Sequence, residues 1–209
     1  VGYDEVHGKE LWKTNGTLTT TTLVSDINPN GSSAPLNFAV MNGNLYFRAT
    51  GSATSRGLWK TNLANQNTML VKDFIFDSTY PALKLIPMGN TLFFAASDGL
   101  NSGLWKSNGT LTGTQLEKAF GTGYDYRYLD DMVGMTNTLF FANSFPPQLW
   151  KSTGTGPGTT LLKSFDIGQD SLTPVNGILF FGANSGYAGT QLWKSDGTPT
   201  GTVMVKDVN

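Results

Sequence analysis

One tripeptide, Leu-Trp-Lys, contains every tryptophan of this chain. It occurs five times, and successive tryptophans are 43 to 47 residues apart. A near-constant period of this size is typical of repeat proteins in which each repeat forms one supersecondary unit. The 209 residues are therefore predicted to form a single domain, 1–209, built from about five copies of one unit. The tryptophans are Trp12, Trp59, Trp105, Trp150 and Trp193.

The residues around each tryptophan repeat as well. A polar turn follows it in four copies: LWKTNGT at 11–17, LWKSNGT at 104–110, LWKSTGT at 149–155 and LWKSDGT at 192–198. The copy at 58–64 reads LWKTNLA and lacks the Gly-Thr pair. Another apolar stretch, a variable loop, a third strand, a short turn such as Asn42-Gly43 and an apolar fourth strand complete the unit. Asn-Gly is a strong hairpin signal because it accepts positive φ angles.

Each unit is thus predicted to be four short strands, named A, B, C and D, with the Leu-Trp-Lys segment on strand C. The approximate bounds of the units are 1–27 (partial), 36–74, 82–120, 129–165 and 171–208. Predicted A strands span Leu36–Met41, Ala82–Met88, Asp130–Met135 and Ser171–Val175, and B strands start at Leu45, Leu92, Leu139 and Leu179. No stretch shows the 3.6-residue period of a helix.

Runs of consecutive apolar residues distinguish a β-propeller from a β-sandwich in this sequence. In Leu92-Phe93-Phe94 neighbouring residues are all apolar, so both faces of the strand are expected to be buried. A sandwich strand normally alternates apolar and polar residues, whereas the middle strands of a propeller blade are covered on both sides. We therefore predict an all-β propeller of about five four-stranded antiparallel blades, with strand A innermost.

The first unit is incomplete. Residues 1–4 look like the end of a B strand, and no A strand precedes them. Four whole blades and about half of a fifth are expected. Either upstream residues complete that blade, or a neighbouring chain supplies strands, which would build a filament because an unpaired edge is a template for another chain.

Composition excludes several classes of function. The 14 basic and 15 acidic residues leave a net charge of −1, which disfavours nucleic acid and anionic membrane surfaces as partners. The absence of cysteine excludes disulfides and thiolate metal sites. No apolar run approaches the ~18 residues that a membrane-spanning helix requires, so membrane insertion is not expected.

The pattern ELWK-[ST]-[DN]-G-T-x-x-G-T-x-L-V-K-D, followed by N-G-x-L-F-F-x-A, resembles the ELWxxDGT repeat family of bacterial extracellular proteins. The resemblance covers nearly the whole chain and departs from the pattern at 62–64 and 117–119. It implies an extracellular location, and it implies no reaction, because the motif carries none.

Repeated residues are interpreted as structural. Each tryptophan is expected to pack between blades while the adjacent lysine extends outward, although stacking platforms for sugars are the alternative. The turns containing Asn108 and Asp196 resemble the Asp-box turn of sialidases and are expected to bond internally. A single carboxylate per turn is too few for a dedicated Ca²⁺ site, so no cofactor is expected and calcium is a weak alternative. Three asparagines lie in N-glycosylation sequons: Asn15, Asn30 and Asn108.

Unrepeated loop residues are better candidates for binding, because the fold does not require them. The segment 123–131, GYDYRYLDD, mixes aromatic, acidic and basic side chains. D–A and B–C loops should emerge on one face, where aromatic rings and planar polar groups can form a shallow sugar site. The candidate binding rim is Tyr80, Arg56, Asp98, Tyr124, Tyr126, Arg127, Tyr128, Phe145 and Tyr187.

Catalytic residues are harder to find. His7 is the only histidine, and the three arginines fall on one strand and two loops. A glycosidase needs a carboxylate pair at a set separation. The candidates for such a pair are Asp125, Asp130 and Asp131.

The sequence therefore predicts a non-enzymatic extracellular binding or adhesion module whose partner is a glycan or a surface polymer. The alternative is a self-assembling filament or coat protein that uses the incomplete blade for strand exchange. A glycosidase-like enzyme is a remote third possibility.

Overall fold

The computed structural model describes residues 1–52, 56–75, 84–122, 129–165, 167–184, 186 and 189–206. These residues form five antiparallel sheets, here numbered I to V, in which each strand pairs with its neighbour in sequence. Sheet I contains β1 (Gly2–Asp4), β2 (Gly8–Lys13) and β3 (Thr22–Ser25). Sheet II contains β4 (Leu36–Met41), β5 (Asn44–Thr50), β6 (Arg56–Asn62) and β7 (Thr68–Asp73).

The remaining three sheets have four strands each. Sheet III contains β8 (Ile86–Met88), β9 (Thr91–Ser97), β10 (Ser102–Ser107) and β11 (Thr114–Gly121). Sheet IV contains β12 (Leu129–Met135), β13 (Thr138–Ser144), β14 (Pro147–Ser152) and β15 (Thr160–Ser164). Sheet V contains β16 (Ile167–Val175), β17 (Ile178–Asn184), β18 (Gln191–Ser195) and β19 (Val203–Lys206).

The predicted all-β propeller fold is confirmed. The first predicted A strand coincides with β4, and the sheet that contains Trp12 has three strands, with β1 pairing to β2 as the end of a B strand would. One local difference is a 3-10 turn at Leu18–Thr20, which the search for a helical period missed because three residues are too short to show one. It is the only helical segment in the described ranges, and none there could cross a membrane.

The B strands are buried on both faces, as their consecutive apolar residues predicted. Leu92, Phe93 and Phe94 of β9 are almost completely inaccessible. One face of each inner sheet packs against the preceding sheet and the other face against the following one, so apolar clusters join sheets in chain order. Burial of these side chains between sheets contributes about 1.5–3 kcal/mol each.

The A strands lie next to one another in succession. β4 contacts β8, β8 contacts β12, and β12 contacts β16, which places strand A innermost in sheets II to V. Asp131 strengthens this contact across three sheets. Its Oδ1 accepts a 2.5 Å bond from Lys84 Nζ next to β8, and its Oδ2 accepts the amide of Leu172 in β16 at 2.7 Å.

All five C–D pairs contain a register shift at the same place. The shift falls between Leu and Trp of the Leu-Trp-Lys segment, so one extra residue of strand D bulges opposite it. A bulge increases the local twist of a strand pair. The repeated motif therefore produces the same bend in the outer half of every sheet.

The two ends of the sheets differ in character. At one end lie the A–B hairpins and the C–D turns, which repeat between sheets; we call it the turn face. At the other lie the B–C and D–A loops, which do not repeat; we call it the loop face. The B–C and D–A loops thus lie at the same end of the sheets, as predicted. Backbone bonds join the ends of the two kinds of loop: Phe74 N donates to Arg56 O at 2.7 Å, and Phe165 N donates to Pro147 O at 3.0 Å.

Candidate functional site

The repeated aromatic residues lie between sheets. Trp193 of sheet V packs edge-on against Phe165 of sheet IV, with ring centroids 5.2 Å apart. Equivalent contacts join Trp105 to Phe74 and Trp150 to Phe120, at 4.9 and 5.2 Å. Rings packed in this way contribute to cohesion and present no open face for a sugar.

A strand D lysine covers the outer side of the same rings. The Nζ atoms of Lys72, Lys118 and Lys163 lie 5.1 to 5.2 Å from the centroids of the tryptophans in the following sheets. A cation over an indole face is attracted by the ring quadrupole. The preceding sheet thus supplies both an aromatic edge and a cation to each of these tryptophans.

Three of the five lysines of the Leu-Trp-Lys segments, those of sheets II to IV, do not extend into solvent, contrary to the expectation above, whereas Lys13 and Lys194 are exposed. Lys60 Nζ donates to Gly109 O at 2.7 Å, Lys106 Nζ to Gly154 O at 2.7 Å, and Lys151 Nζ to Gly197 O at 2.6 Å. Each acceptor is the turn glycine of the following sheet. The carbonyl of a turn glycine has no hydrogen-bond partner within its own sheet. The lysine ammonium therefore forms a charged hydrogen bond with it, which is stronger than a hydrogen bond between neutral groups.

The turn glycines are required for close approach. Gly109, Gly154 and Gly197 all have positive φ. A Cβ atom at Gly109 would collide with the hydroxyl of Tyr46 in the preceding sheet. Burial of the same side chain raises the pKa of Tyr46. Glycine therefore serves both the turn geometry and the fit between sheets.

The polar residues of the turns bond to one another, as expected. Asp196 Oδ1 accepts Thr198 Oγ1 at 2.7 Å and Thr198 N at 2.8 Å, and these bonds hold the pKa of Asp196 below its usual range. Asn108 makes the equivalent bonds to Thr110 at 2.7 and 3.0 Å. Asn108 and Asp196, the residues considered as weak calcium ligands, thus use their side-chain oxygens within their own turns. In the described ranges, no three His, Cys, Asp or Glu residues cluster as metal ligands would.

The three sequon asparagines are exposed. Asn15 and Asn108 lie in C–D turns, where their side-chain oxygens accept bonds from threonine hydroxyls. Asn30 lies in the loop between β3 and β4. Their modification stays a prediction.

The structure describes the side chain of one of the three carboxylate candidates, Asp131. Asp131 is committed to Lys84 and to the amides of Met132 and Leu172, so it joins the innermost strands. Asp125 and the side chain of Asp130 lie outside the described residues.

Part of the candidate rim is described. Arg56, Asp98 and Phe145 all lie on the loop face, at the beginning of β6, after β9 and after β13 respectively. The other six rim residues lie outside the described ranges, and their role stays a prediction: Tyr80, Tyr124, Tyr126, Arg127, Tyr128 and Tyr187.

Asp98 and Asn143 organise the loops that they begin. Asp98 Oδ1 accepts the amides of Leu100 and Asn101 at 3.0 and 2.9 Å. Asn143, which is buried, donates its side-chain amide to the carbonyls of Phe145 and Pro146 at 3.2 and 3.3 Å. In each loop the residue two positions further on, Leu100 or Phe145, is held outward.

Sheet I has the same arrangement. Asp4 Oδ1 accepts the amides of Val6 and His7 at 2.9 and 2.6 Å, and Asp4 Oδ2 lies 2.8 Å from His7 Nδ1. This bond raises the pKa of His7 and lowers the pKa of Asp4. Val6 is held outward above the loop.

Three apolar side chains of the loop face are therefore exposed on fixed loops. Val6 is 84% exposed, Leu100 76% and Phe145 73%. The sequence interpretation included Phe145 and missed Val6 and Leu100. The sequence signal for these exposed residues is an Asp or Asn followed two positions later by an apolar residue, between strands B and C. Large exposed apolar residues usually mark contact surfaces when they occur as a group.

Exposed apolar residues also occur on the turn face. Leu18, Leu63 and Leu111 are exposed there. These three occupy similar places in C–D turns, whereas the loop-face residues differ in type and loop length from sheet to sheet. Variable loops on a repeated scaffold are where binding residues concentrate.

Comparison with known proteins supports the fold alone. No family model matches this chain, and no curated protein matches it. Among solved structures, TolB from Acinetobacter baumannii is 12% identical with a TM-score of 0.52, covering 90% of this chain and 46% of TolB. The computationally designed Ika8 protein is 13% identical with a TM-score of 0.50, covering 83% of this chain and 49% of Ika8.

A chain from the nidogen/laminin complex is similar as well. It is 12% identical with a TM-score of 0.50, and the match covers 85% of this chain and 76% of the other. The chain spans about half the length of TolB and Ika8. The comparisons agree with a propeller built from successive antiparallel sheets.

Proposed function

We propose that this chain is a non-enzymatic binding module that recognises a glycan or surface polymer through its loop face. One observation carries the proposal: Phe145 is 73% exposed on a loop that the buried Asn143 holds in place. An exposed aromatic ring on a fixed turn loses little conformational entropy on binding, and its flat face suits a sugar ring.

The charge distribution is compatible with a neutral partner. Asp98 uses one carboxylate oxygen within its own loop, and Arg56 is exposed at the start of β6. Planar polar groups beside an aromatic ring are the usual elements of a shallow carbohydrate site.

The repeated residues support a non-enzymatic role. The tryptophans of sheets III to V, the strand C lysines of sheets II to IV and the turn residues are used in contacts between or within sheets. The described carboxylate candidate, Asp131, is committed to the innermost strands. We propose an extracellular location on the resemblance to ELWxxDGT repeats, which the absence of cysteine neither supports nor opposes.

The proposal is tested by screening the purified chain on a glycan array that includes bacterial surface polysaccharides, followed by calorimetry with the best binder. Phe145→Ala is expected to weaken binding by about tenfold, since stacking contacts contribute roughly 1–2 kcal/mol. Leu111→Ala is the matched control, because Leu111 is 64% exposed on the turn face.

Equal loss of affinity in both variants would contradict the assignment to the loop face. Absence of binding to every polysaccharide tested would contradict the proposed class of partner. Tyr126→Ala adds a second variant, from the segment 123–131 that the sequence predicts to contribute to binding.

A further inference from the structure

The D–A loop between β3 and β4 contains a sequence motif of its own. Residues 26–37 read DINPNGSSAPLN, which places Asp, Asn, Asn and Gly at positions 1, 3, 5 and 6 of the segment. This order is the D-x-[DN]-x-[DN]-G pattern of calcium-binding loops, in which side chains at odd positions and the twelfth residue supply oxygens to one ion. The other D–A loops of the sequence lack the pattern. The motif residues are Asp26, Asn28, Asn30, Gly31 and, at position 12, Asn37.

Two oxygen atoms of the motif are buried and accept no hydrogen bond from any described residue. They are Oδ1 of Asp26 and Oδ1 of Asn28, at positions 1 and 3. Buried polar atoms in folded proteins almost always have a partner, because burial without one costs free energy. Both atoms carry lone pairs and neither can donate a hydrogen, so a cation is a partner that satisfies the two together.

The carbonyl of Ser32 lies beside the same side chains. This carbonyl, at position 7 of the motif, accepts the side-chain amide of Asn28 at 3.2 Å. The amide of Gly31 donates to the carbonyl of Asn28 at 2.9 Å and closes a turn between positions 3 and 6. These two bonds bring position 7 back to position 3. A calcium loop needs this approach, because its position 7 binds the ion through the backbone carbonyl.

A completely buried carboxylate lies beneath the loop. Glu10 Oε1 accepts the amide of Ser33 at 2.8 Å, and Glu10 Oε2 accepts the amide of Ile27 at 3.0 Å. No ion pair between described residues includes Glu10, so no cationic side chain there balances its charge. Buried charges in proteins are normally paired or lie near a metal ion. Glu10 and Asp26 together bring two negative charges to one loop, which is the charge that a divalent cation balances.

We propose that residues 26–37 bind a calcium ion through the side-chain oxygens of Asp26 and Asn28 and the carbonyl of Ser32. Glu10 holds both ends of the loop and adds negative charge below the ion. Solvent and further oxygens of the loop complete the six to eight ligands that calcium takes. Most of the ligands are amide and carbonyl oxygens, so the site differs from a cluster of Asp, Glu, His and Cys side chains.

The remaining ligand positions predict a weak site. Asn30 and Asn37 stand where a calcium loop takes further oxygens, but position 12 of an EF-hand is a bidentate Glu, whereas Asn has one side-chain oxygen. Asp26 is the single charged ligand among the three named above. We therefore expect a dissociation constant of about 10⁻⁴–10⁻³ M, as in extracellular calcium modules. Magnesium is disfavoured, because it demands near-ideal octahedral geometry that a loop of this kind does not impose.

The ion joins two sheets. β3 of sheet I ends at Ser25 and β4 of sheet II begins at Leu36, so the loop crosses from one sheet to the next on the loop face. Calcium bound there stabilises the folded chain, because the unfolded segment does not hold the ligands together. The inference does not depend on glycan recognition, since none of the candidate rim residues belongs to this loop.

Calorimetric titration of CaCl₂ into the full chain, freed of metal with a chelator, tests the proposal, and a single site with the stated affinity is expected. In parallel, about 10 mM CaCl₂ should raise the melting temperature by about 3–6 °C if the dissociation constant is about 1 mM. The same concentration of MgCl₂, at equal ionic strength, should raise it by less than about 1 °C.

Two variants of the loop should change calcium affinity in opposite directions. Asp26→Asn keeps the shape of the side chain and removes the ligand charge, so the affinity should fall by at least about tenfold. Asn28→Asp adds a carboxylate at position 3 and should raise the affinity by about three- to tenfold, while repulsion between the two acids lowers the melting temperature in chelator. A lowered melting temperature without tighter calcium binding would overturn the role of Asn28 as a ligand.

Asp196→Asn is the matched control. Asn108 occupies the equivalent position in sheet III, and the carboxylate of Asp196 is bonded within its own turn. This variant should change calcium affinity by less than about twofold. Absence of a calorimetric and thermal response up to about 10 mM CaCl₂, an equal response to MgCl₂, or an affinity that Asp26→Asn leaves unchanged would each overturn the proposal.

Discussion

Trp193 of sheet V meets Phe165 of sheet IV edge-on, at 5.2 Å between ring centroids and an interplanar angle of 85°. Phe165 is buried and also contacts Phe181, so its ring joins two residues of the following sheet. The same relationship recurs at two other sheet contacts. Between sheets I and II the position equivalent to Phe165 is occupied by Ile27, which is also buried.

Phe165→Ala is expected to lower the free energy of unfolding by about 3–5 kcal/mol, because it removes a buried ring and leaves a cavity between sheets. Phe165→Ile, which copies the residue that sheet I uses, should lower it much less. Urea denaturation followed by tryptophan fluorescence measures both values. A cost below 1 kcal/mol for the alanine variant would show that the sheets do not pack here.

Ser195→Ala should lower the free energy of unfolding by about 1–3 kcal/mol. The buried Ser195 Oγ lies 2.7 Å from Thr202 Oγ1 and accepts the amide of Gly197 at 3.1 Å. In the variant the amide of Gly197 loses this acceptor, and Thr202 Oγ1 keeps only its bond to Thr198 O. Thr200→Ala in the same turn is the control, since Thr200 is exposed and should change stability by less than about 0.5 kcal/mol. Equal effects in thermal denaturation would contradict the role of the buried pair.

Asp131→Ala should be more destabilising than Lys84→Ala. The first variant leaves the amides of Leu172 and Met132 without an acceptor, at about 1–3 kcal/mol. The second removes a half-exposed cation, at about 0–1 kcal/mol. Hydrogen exchange at the Leu172 amide should accelerate only in Asp131→Ala, and acceleration in both variants would contradict this division of roles.

The pKa of His7 should lie above the ordinary imidazole value, because Asp4 bonds to its ring. A raised folded pKa stabilises the fold below pH 6.5, and this stabilisation declines as pH rises through the folded pKa of His7. The lowered pKa of Asp4 adds stabilisation above pH 3.8 that is lost as pH falls through the folded pKa of Asp4. The Asp4–His7 pair therefore stabilises the fold most between pH 3.8 and pH 6.5.

Nuclear magnetic resonance titration of the single histidine measures this shift without overlap. Asp4→Asn should return the pKa of His7 toward its ordinary value, and Asp26→Asn, which removes a weaker and more distant influence, should change the pKa much less. An unchanged pKa in Asp4→Asn would show that the loop is not held as described.

The regular part of the fold was accessible from sequence because it follows from short-range rules. The period of Leu-Trp-Lys predicted the number of sheets, and the consecutive apolar residues at Leu92-Phe93-Phe94 predicted burial on both faces. The hydrogen-bond acceptors of the strand C lysines could not be predicted from the sequence. The acceptor of Lys151 is 46 residues away, and its position depends on how two sheets are rotated relative to each other. Nothing in the sequence near Lys151 identifies that carbonyl.

The candidate site was only partly predictable for a related reason. Phe145 was chosen because aromatic residues in unrepeated loops are conspicuous, whereas Val6 and Leu100 look like ordinary core residues in sequence. Their exposure results from side-chain bonds of Asp4 and Asp98 to the following amides, which turn the loops outward. Such local capping bonds are frequent at Asp in turns, but their effect on the next side chains depends on the strands at either end.

The central claim is that the sheets pack face to face in chain order, and a double-mutant cycle between Phe165 and Trp193 tests it most directly. The claim predicts a coupling energy of about 0.5–1.5 kcal/mol for Phe165→Leu with Trp193→Phe. The same cycle between Phe120 and Trp193, which lie in sheets that are not adjacent, should be additive within about 0.5 kcal/mol. Additivity in the first cycle, or equal coupling in both, would contradict the packing order described above.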